Sequence, residues 1–451
     1  MTLSPLFTDG CVLRMGTGSA IFGRAQHGER VTAEFQGVTY ETFGDASGRF
    51  NIALSELSHG GAFELRVNDV VLRDVYVGEV WLCAGQSNMQ ITFARIGRRY
   101  PEVMAAPPEP RIRRFLVPQD TDFTAPRADI VGSWAQSDPE HIADFTAVGW
   151  FFAKKRMERT GVPVGLLATA IGGTPIHCWL RNPPEYPAAL YTDDQSAPPA
   201  PNFGATPCNP EVTQSGSGVT LWRKRVTIPP EFAGQRAELA LGTIVDADTT
   251  YVNGVEVGST AYRYPPRYYT TPPLPEGACE IVVKQTIIGG WGKFTEGKTR
   301  ELRISDGVIP LVGDWERRRV ADFPSPVPFT APQNDPCGYY NAMIAPLHGF
   351  AISGALWYQG ESDDKTPRGY FERFSQMLRE WRGAWGWDFP MLTVGLARFD
   401  ETDWTRVREE QLRCAELPNV GFYDAWGDGE PNDLHPLNKR SIGEGLAGLI
   451  L

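Results

Sequence analysis

The feature that most constrains this chain is a set of short, near-continuous apolar runs: EVWLCAG (79–85), VPVGLLATAIGG (162–173), AISGALWYQGES (351–362), FPMLTVGLA (389–397) and NVGFYDAW (419–426). Runs of this length without polar alternation are what strands buried on both faces require. Between and after them lie TAVGWFFAKKRMERTG, PRGYFERFSQMLREWRGAWG and HPLNKRSIGEGLAGLIL, whose apolar residues recur three and four apart, the period of a helix with one buried face. Strands alternating with helices predict an α/β domain built on a largely parallel sheet.

Two stretches have a different texture. From about residue 10 to 75, SAIFGRA, RVTAEF and FELRVNDVVLRDV read as short alternating strands between Gly, Asp and Ser turns. From about 211 to 330 the same texture returns in LWRKRVTIP, RAELALGTI, TTYVNGVEVG and CEIVVKQTIIGG, with Asn253-Gly254 as a hairpin signal. Proline clusters at 183–210 and 322–336 flank this second stretch as linkers would. A chain of 451 residues exceeds what one core usually serves. The expected organisation is therefore an N-terminal β-domain (1–75), a first part of the α/β domain (76–210), an inserted β-sandwich (211–330) and a second α/β part (331–451).

Charge and cysteine content exclude several classes of partner. The formal net charge is −11 and no run of five or more basic residues occurs, which argues against nucleic acid or an anionic membrane surface. Seven cysteines without C-x-x-C spacing predict neither a zinc site nor a dense disulfide framework. The N-terminus MTLSPLFTDGCVLRMG lacks the basic start and apolar stretch of a secretory signal. As written the chain is expected in the cytoplasm, or in the periplasm or outside the cell if a leader has been removed. It says nothing of oligomeric state.

Three of the apolar runs end in small or polar residues that no core needs: Gly85-Gln86-Ser87-Asn88, Gly172-Gly173-Thr174 and Gln359-Gly360-Glu361-Ser362. In open α/β sheets, sites form beyond the carboxyl ends of the strands, so these loops should converge on one crevice. Ser87 follows a strand and precedes a helix, where its hydroxyl and backbone N–H can both face the crevice, although an ordinary helix cap would also sit there. Of the six histidines, His435 in Pro431-Asn432-Asp433-Leu434-His435-Pro436 follows the last apolar strand and lies nearest in topology to Ser87. His27, His59 and His141 read as surface residues, with His177 and His348 as weaker candidates. Asp433, two residues before His435, could orient its imidazole. The backbone N–H groups of Ser87 and of Gly173, or of its neighbour Gly172, fit the need of a developing oxyanion, and the Gln359 amide would be a third donor.

Together VWLCAGQSNM, IGGTPIHCWL, YNAMIAPL followed by GALWYQGESD, and NDLHPLNK resemble the sialate O-acetylesterase family of SGNH hydrolases, in order and over nearly the whole chain. The resemblance implies a flavodoxin-like three-layer α/β/α catalytic domain. It also implies a small N-terminal β-domain and an inserted galactose-binding-like jelly roll at LWRKRVTIPPEF and DADTTYVNGVEVG. It further implies Ser87 as nucleophile, His435 as base, Ser87, Gly173 and Gln359 at the oxyanion, and no metal or organic cofactor. Many SGNH enzymes carry the triad Asp three residues before the His, where this chain has Asn432. Either Asp433 orients His435 from the shorter spacing, or the site is a Ser–His dyad. Glu361, Gly172 and Asn88 are expected to support the site or touch substrate.

The expected activity is hydrolysis of O-acetyl groups on a carbohydrate. Its rivals are a carbohydrate-binding protein on an inactive hydrolase scaffold, and an acetyl xylan esterase, general carboxylesterase or thioesterase. Loop tryptophans (Trp179, Trp357, Trp404, Trp426) lean towards sugar, although tryptophan is also core material. The identity of the sugar would be decided by loops such as 91–110 and 180–210, and sialic acids and acetylated xylan are both open.

Overall fold

The apolar runs become strands of one sheet in the computed structural model, which describes residues 1–182, 206–305, 307–323, 334–364 and 366–450. Most of both proline clusters lies outside the described residues, as does most of the loop expected at 180–210. Strands β1 (Val70–Gly85), β2 (Glu109–Leu116), β3 (Trp134–Ser137), β4 (Val164–Ala168), β5 (Gly354–Tyr358), β6 (Met391–Gly395) and β7 (Val420–Asp424) are ordered β3-β2-β4-β1-β5-β6-β7. All neighbours are parallel except β3 and β2. The chain turns from β1 to β2 and β4 on one side and later to β5, β6 and β7 on the other, so β1 and β5 flank the point where strand order reverses.

Burial explains the composition of these strands. Every residue from Val75 to Gly85 is buried, as are all of β5 and β6. The one charge in the central run, Glu79, is answered by Arg156 at 2.7 Å and by the Trp81 indole N–H at 2.8 Å. Such pairing is what a carboxylate in a sheet interior requires. Helices α1 (Ser87–Gln90), α2 (Phe93–Ile96), α3 (Ala147–Thr160), α4 (Tyr370–Trp385), α5 (Thr405–Cys414) and α6 (Lys439–Gly448) complete this part, with α3 packed on α6 and α4 on α5. At the α3–α6 crossing a Cβ on Gly443 would lie 2.6 Å from the Val148 carbonyl oxygen, so glycine permits the close approach.

The N-terminal strands Ala20–Arg24, Arg30–Phe35, Val38–Phe43, Arg49–Ala53 and Gly60–Val67 lead into β1. The first half of β1 pairs with Gly60–Val67 and Val12–Arg14, and its second half pairs with β4 and β5. Leu6, Val31 and Phe35 belong to the same hydrophobic core as Leu82, Leu356 and Val394.

By contact the chain divides into two compact units, 1–188 with 331–451, and 189–330. The second, taken by itself, is built of β-strands among its described residues, with one short 3-10 turn at Pro230–Phe232. It has a six-stranded sheet, a four-stranded sheet, a two-stranded sheet (Gln214–Ser215 with Trp291–Gly292) and its own core around Trp222, Phe294 and Trp315. Asn253 and Gly254 close the two-residue hairpin between Ala247–Val252 and Val255–Thr260, both at positive φ as a type I′ turn requires. Arg267 and Asp248, both fully buried, pair at 2.7 Å. Among the described residues no helix is long and apolar enough to cross a membrane.

Candidate active site

Ser87 opens α1 immediately beyond β1. Gly85 ends the strand at φ +124°, where a Cβ would lie 2.2 Å from the Tyr358 carbonyl oxygen of β5, so no other residue lets the two strands stay paired here. Gln86 clamps the turn: its N–H donates to Tyr358 O at 2.9 Å, and its Oε1 accepts from Gly360 N at 3.3 Å and Ser362 N at 3.2 Å. These bonds tie the loop after β1 to the loop after β5.

His435, buried, comes from the loop between β7 and α6. Its Nε2 lies 2.8 Å from Ser87 Oγ, within the range in which a base and a nucleophile exchange a proton. Its main-chain N–H donates to Asp433 Oδ1 at 2.9 Å, so Asp433 holds the backbone of the histidine. Ring Nδ1 lies 3.2 Å from Nη2 of Arg95, a donor only. Burial first, and then the charges of Arg95 and Lys439, keep the His435 pKa well below the ordinary histidine value.

The paired glycines lie beside Ser87. Gly172 N–H donates to Gln90 Oε1 at 2.8 Å, and a Cβ on Gly172 would meet Ser87 Cβ at 3.3 Å. Gly173 is exposed at φ +76°, with open space in front of it. Both glycines are exposed, and the N–H of Gly172 is committed to Gln90.

Gln359 corrects the sequence reading. It is fully buried, and its amide nitrogen donates to Thr174 O at 3.1 Å and to Asp363 Oδ2 at 2.6 Å. An amide that has spent both hydrogens cannot donate to an oxyanion, so Gln359 braces the loops instead. Asp363 is the hub of that brace: it also accepts Ile176 N–H at 2.9 Å and pairs with Arg373 at 3.3 Å. The WYQGES motif therefore shapes the site through its carboxylate neighbour, a role that no pairwise spacing in sequence reveals.

Asn88 and Glu361, expected near the site, meet there. Asn88 Nδ2 donates to Glu361 Oε1 at 2.5 Å and to Leu434 O at 3.2 Å, next to His435. Asn88 Oδ1 in turn accepts from Nζ of the buried Lys439. Burial pulls the Lys439 ammonium down to about 7 against the opposing pull of Glu361, and burial pushes the Glu361 carboxyl up. Sequence reasoning missed Arg95, Gln90 and Lys439. The only available signal was Lys439 in NDLHPLNK, four residues after His435. Of the other histidines, His141 bonds Asp138, His177 bonds Asn334 O and His348 packs on Trp385.

A family model described as carbohydrate esterase, sialic acid-specific acetylesterase, matches residues 77–197 and 333–447, just over half of the chain. The chain belongs to that family. It is similar to the sialate O-acetylesterase of Rattus norvegicus, 33% identical over 149 residues that make up 30% of this chain and 27% of that protein. The Homo sapiens sialate O-acetylesterase is 28% identical over 144 residues, 28% of this chain and 27% of that protein. The chain thus spans 27% of the length of these curated relatives. Among solved structures, a carbohydrate acetylesterase from Xanthomonas citri is similar at 25% identity and a TM-score of 0.64, covering 99% of this chain and 73% of that one. All the side chains described around Ser87 and His435 fall within the two stretches that the carbohydrate esterase family model matches.

Proposed function

We propose that this family member is a serine esterase that hydrolyses O-acetyl groups on a carbohydrate, with Ser87 as nucleophile and His435 as general base. The observation that carries the reading is the 2.8 Å approach of His435 Nε2 to Ser87 Oγ at the carboxyl end of the central strand. Ser87 Oγ attacks the acetyl carbonyl carbon while its proton passes to His435 Nε2. The tetrahedral intermediate collapses as that proton moves to the departing sugar hydroxyl, leaving acetyl-Ser87. Water then attacks the acyl carbon, gives its proton to His435, and acetate leaves with the Ser87 proton restored.

The N–H groups of Ser87 and Gly173 stabilise the oxyanion. Asp433 fixes the backbone that carries His435. For Nε2 to accept a proton the ring hydrogen must sit on Nδ1, so the Arg95 guanidinium turns away from Nδ1 before the chemical step. Asn88, Glu361 and Lys439 support the floor beneath the pair.

The strand order and helix pairing support an SGNH-type three-layer arrangement for the α/β part. The six-stranded and four-stranded sheets of the second unit support a galactose-binding-like jelly roll. The division into 1–75, 76–210, 211–330 and 331–451 is offered in the same sense. An acetylated carbohydrate is the proposed partner, with sialic acid and acetylated xylan as the two substrates to compare.

The test is acetate release from 4-nitrophenyl acetate, acetylated sialic acid and acetylated xylan by the wild type, Ser87→Ala and His435→Ala. The expected outcome is wild-type turnover reduced by at least about a thousandfold in each variant. An inert wild type that still binds glycan would replace this reading with that of a binding protein.

A further inference from the structure

A cavity lies along the same edge of the sheet as Ser87. Because β1, β5, β6 and β7 are parallel, the segments that follow β6 and β7 emerge on the side where Ser87 sits. These segments, with the start of α5, border an open cavity of about 510 Å³ lined among others by Phe399, Asp403, Trp404, Arg408, Asp424 and Trp426. That volume is in the range of small-ligand sites. Of the four tryptophans that leaned towards sugar, Trp179, Trp357 and Trp404 are core, Trp404 also backing the cavity wall, while Trp426 lines the cavity and is 44% exposed.

The chemistry is that of a sugar-ring seat. A pyranose offers an apolar C–H face, which lies on an aromatic plane, and a rim of hydroxyls, which seek fixed polar groups. Here Trp426 is held in place by Arg408, whose guanidinium carbon sits 4.6 Å from the ring centre. Arg408 is itself fixed by Asp424 through bonds of 2.9 and 3.1 Å. Phe399 and Trp404, ring centres 6.4 Å apart, supply apolar wall, and Asp403 is anchored by the Thr405 N–H at 3.0 Å. Four carboxylates line the cavity, Asp424 paired with Arg408, Asp400 paired with Arg398 at 2.7 Å, and Asp403 and Glu409 in addition, so the lining carries an excess of negative charge that disfavours an anionic sugar.

One main-chain hydrogen bond ties the cavity wall to the loop that carries His435: Asp400 N–H donates to Pro431 O at 2.9 Å. Strand β7 is three places from β1, which at about 4.8 Å per strand is roughly 14 Å, the span of a short oligosaccharide.

We propose that this cavity is a distal glycan subsite, which seats a neutral sugar ring of the same chain that carries the acetyl group at Ser87. The inference rests on the esterase reading. It makes the enzyme one that prefers an acetylated neutral oligosaccharide to an acetylated monosaccharide.

The experiment measures kcat/KM of the full chain on 4-nitrophenyl acetate and on chemically acetylated xylo- and cello-oligosaccharides of increasing length. In the wild type the value should rise by about tenfold once the chain is long enough to reach the cavity, the scale of one aromatic contact. In Trp426→Ala that rise should vanish through KM, so the ratio of long-oligosaccharide to 4-nitrophenyl acetate turnover falls by the same factor. Thermal melting of the variant, and Asp403→Asn as a milder change, control for folding. No rise in the wild type, a rise that survives in Trp426→Ala, or an equal rise on acetylated oligogalacturonides would each overturn the subsite. Failure of the wild type on 4-nitrophenyl acetate would instead overturn the esterase reading.

Discussion

His435 is the residue on which the chemistry turns, and its surroundings set the pH at which it works. A base acts only when unprotonated, so the acid limb of kcat/KM follows its pKa in the free enzyme. Burial and two nearby cations hold that pKa well below 6.5, so activity should persist below pH 6.5. Arg95→Ala removes one of the cations, so the acid limb moves to higher pH, towards 6.5, while burial keeps it from going further. Arg95→Lys retains the charge and should leave the limb near its wild-type position. The pH–rate profile with 4-nitrophenyl acetate checks this, and a limb that stays put in Arg95→Ala would remove Arg95 from the account. Ser87 and His435 could be singled out because Ser87 lies where an apolar run ends in residues that no core needs, and His435 is the histidine that follows the last apolar strand. Arg95 was not, since its contact with Nδ1 joins positions 340 residues apart through the path of a side chain.

Among the elements, the loop after β5 shows how a strand end is made rigid enough to hold a site. Asp363 is fully buried and answers Arg373, Gln359 and Ile176 together. Asp363→Ala would leave those donors facing a void, at a cost of about 3–5 kcal/mol. Asp363→Asn, which keeps an acceptor oxygen, should cost less. Urea denaturation of the two variants gives both numbers, and equal stability of Asp363→Ala and wild type would show that the brace contributes nothing. The apolar period of β5 told where the strand runs, and its Gln359 looked like an exposed donor. Which hydrogen goes to which acceptor depends on Thr174 and Asp363 arriving from elsewhere in the chain, and periodicity carries no record of that.

For the whole molecule, the two cores predict how it unfolds. The core around Trp222, Phe294 and Trp315 is distinct from that of the α/β part. Units with separate hydrophobic cores unfold as separate cooperative transitions, so scanning calorimetry should resolve two. Trp222 is fully buried, and Trp222→Ala should destabilise one of them by about 3–5 kcal/mol and leave the other in place. A single transition that moves as a whole would mean that the units are energetically one.

Local sequence determined five of the seven strands of the central sheet, three of its helices, the Asn253-Gly254 hairpin and the loops in which chemistry had to lie, but not the strands Glu109–Leu116 and Trp134–Ser137. Those properties depend on hydrophobic period, turn residues and strand ends, all of which are written within a few neighbouring positions. Only the tertiary structure decided that Gln359 faces inward, that Arg95 stands at the imidazole, that Lys439 reaches Asn88, and that Trp426 is exposed while Trp179 and Trp357 are core. Each of those outcomes is a contest for one hydrogen bond or one buried volume among side chains from distant segments, and it is settled only when packing brings the competitors together.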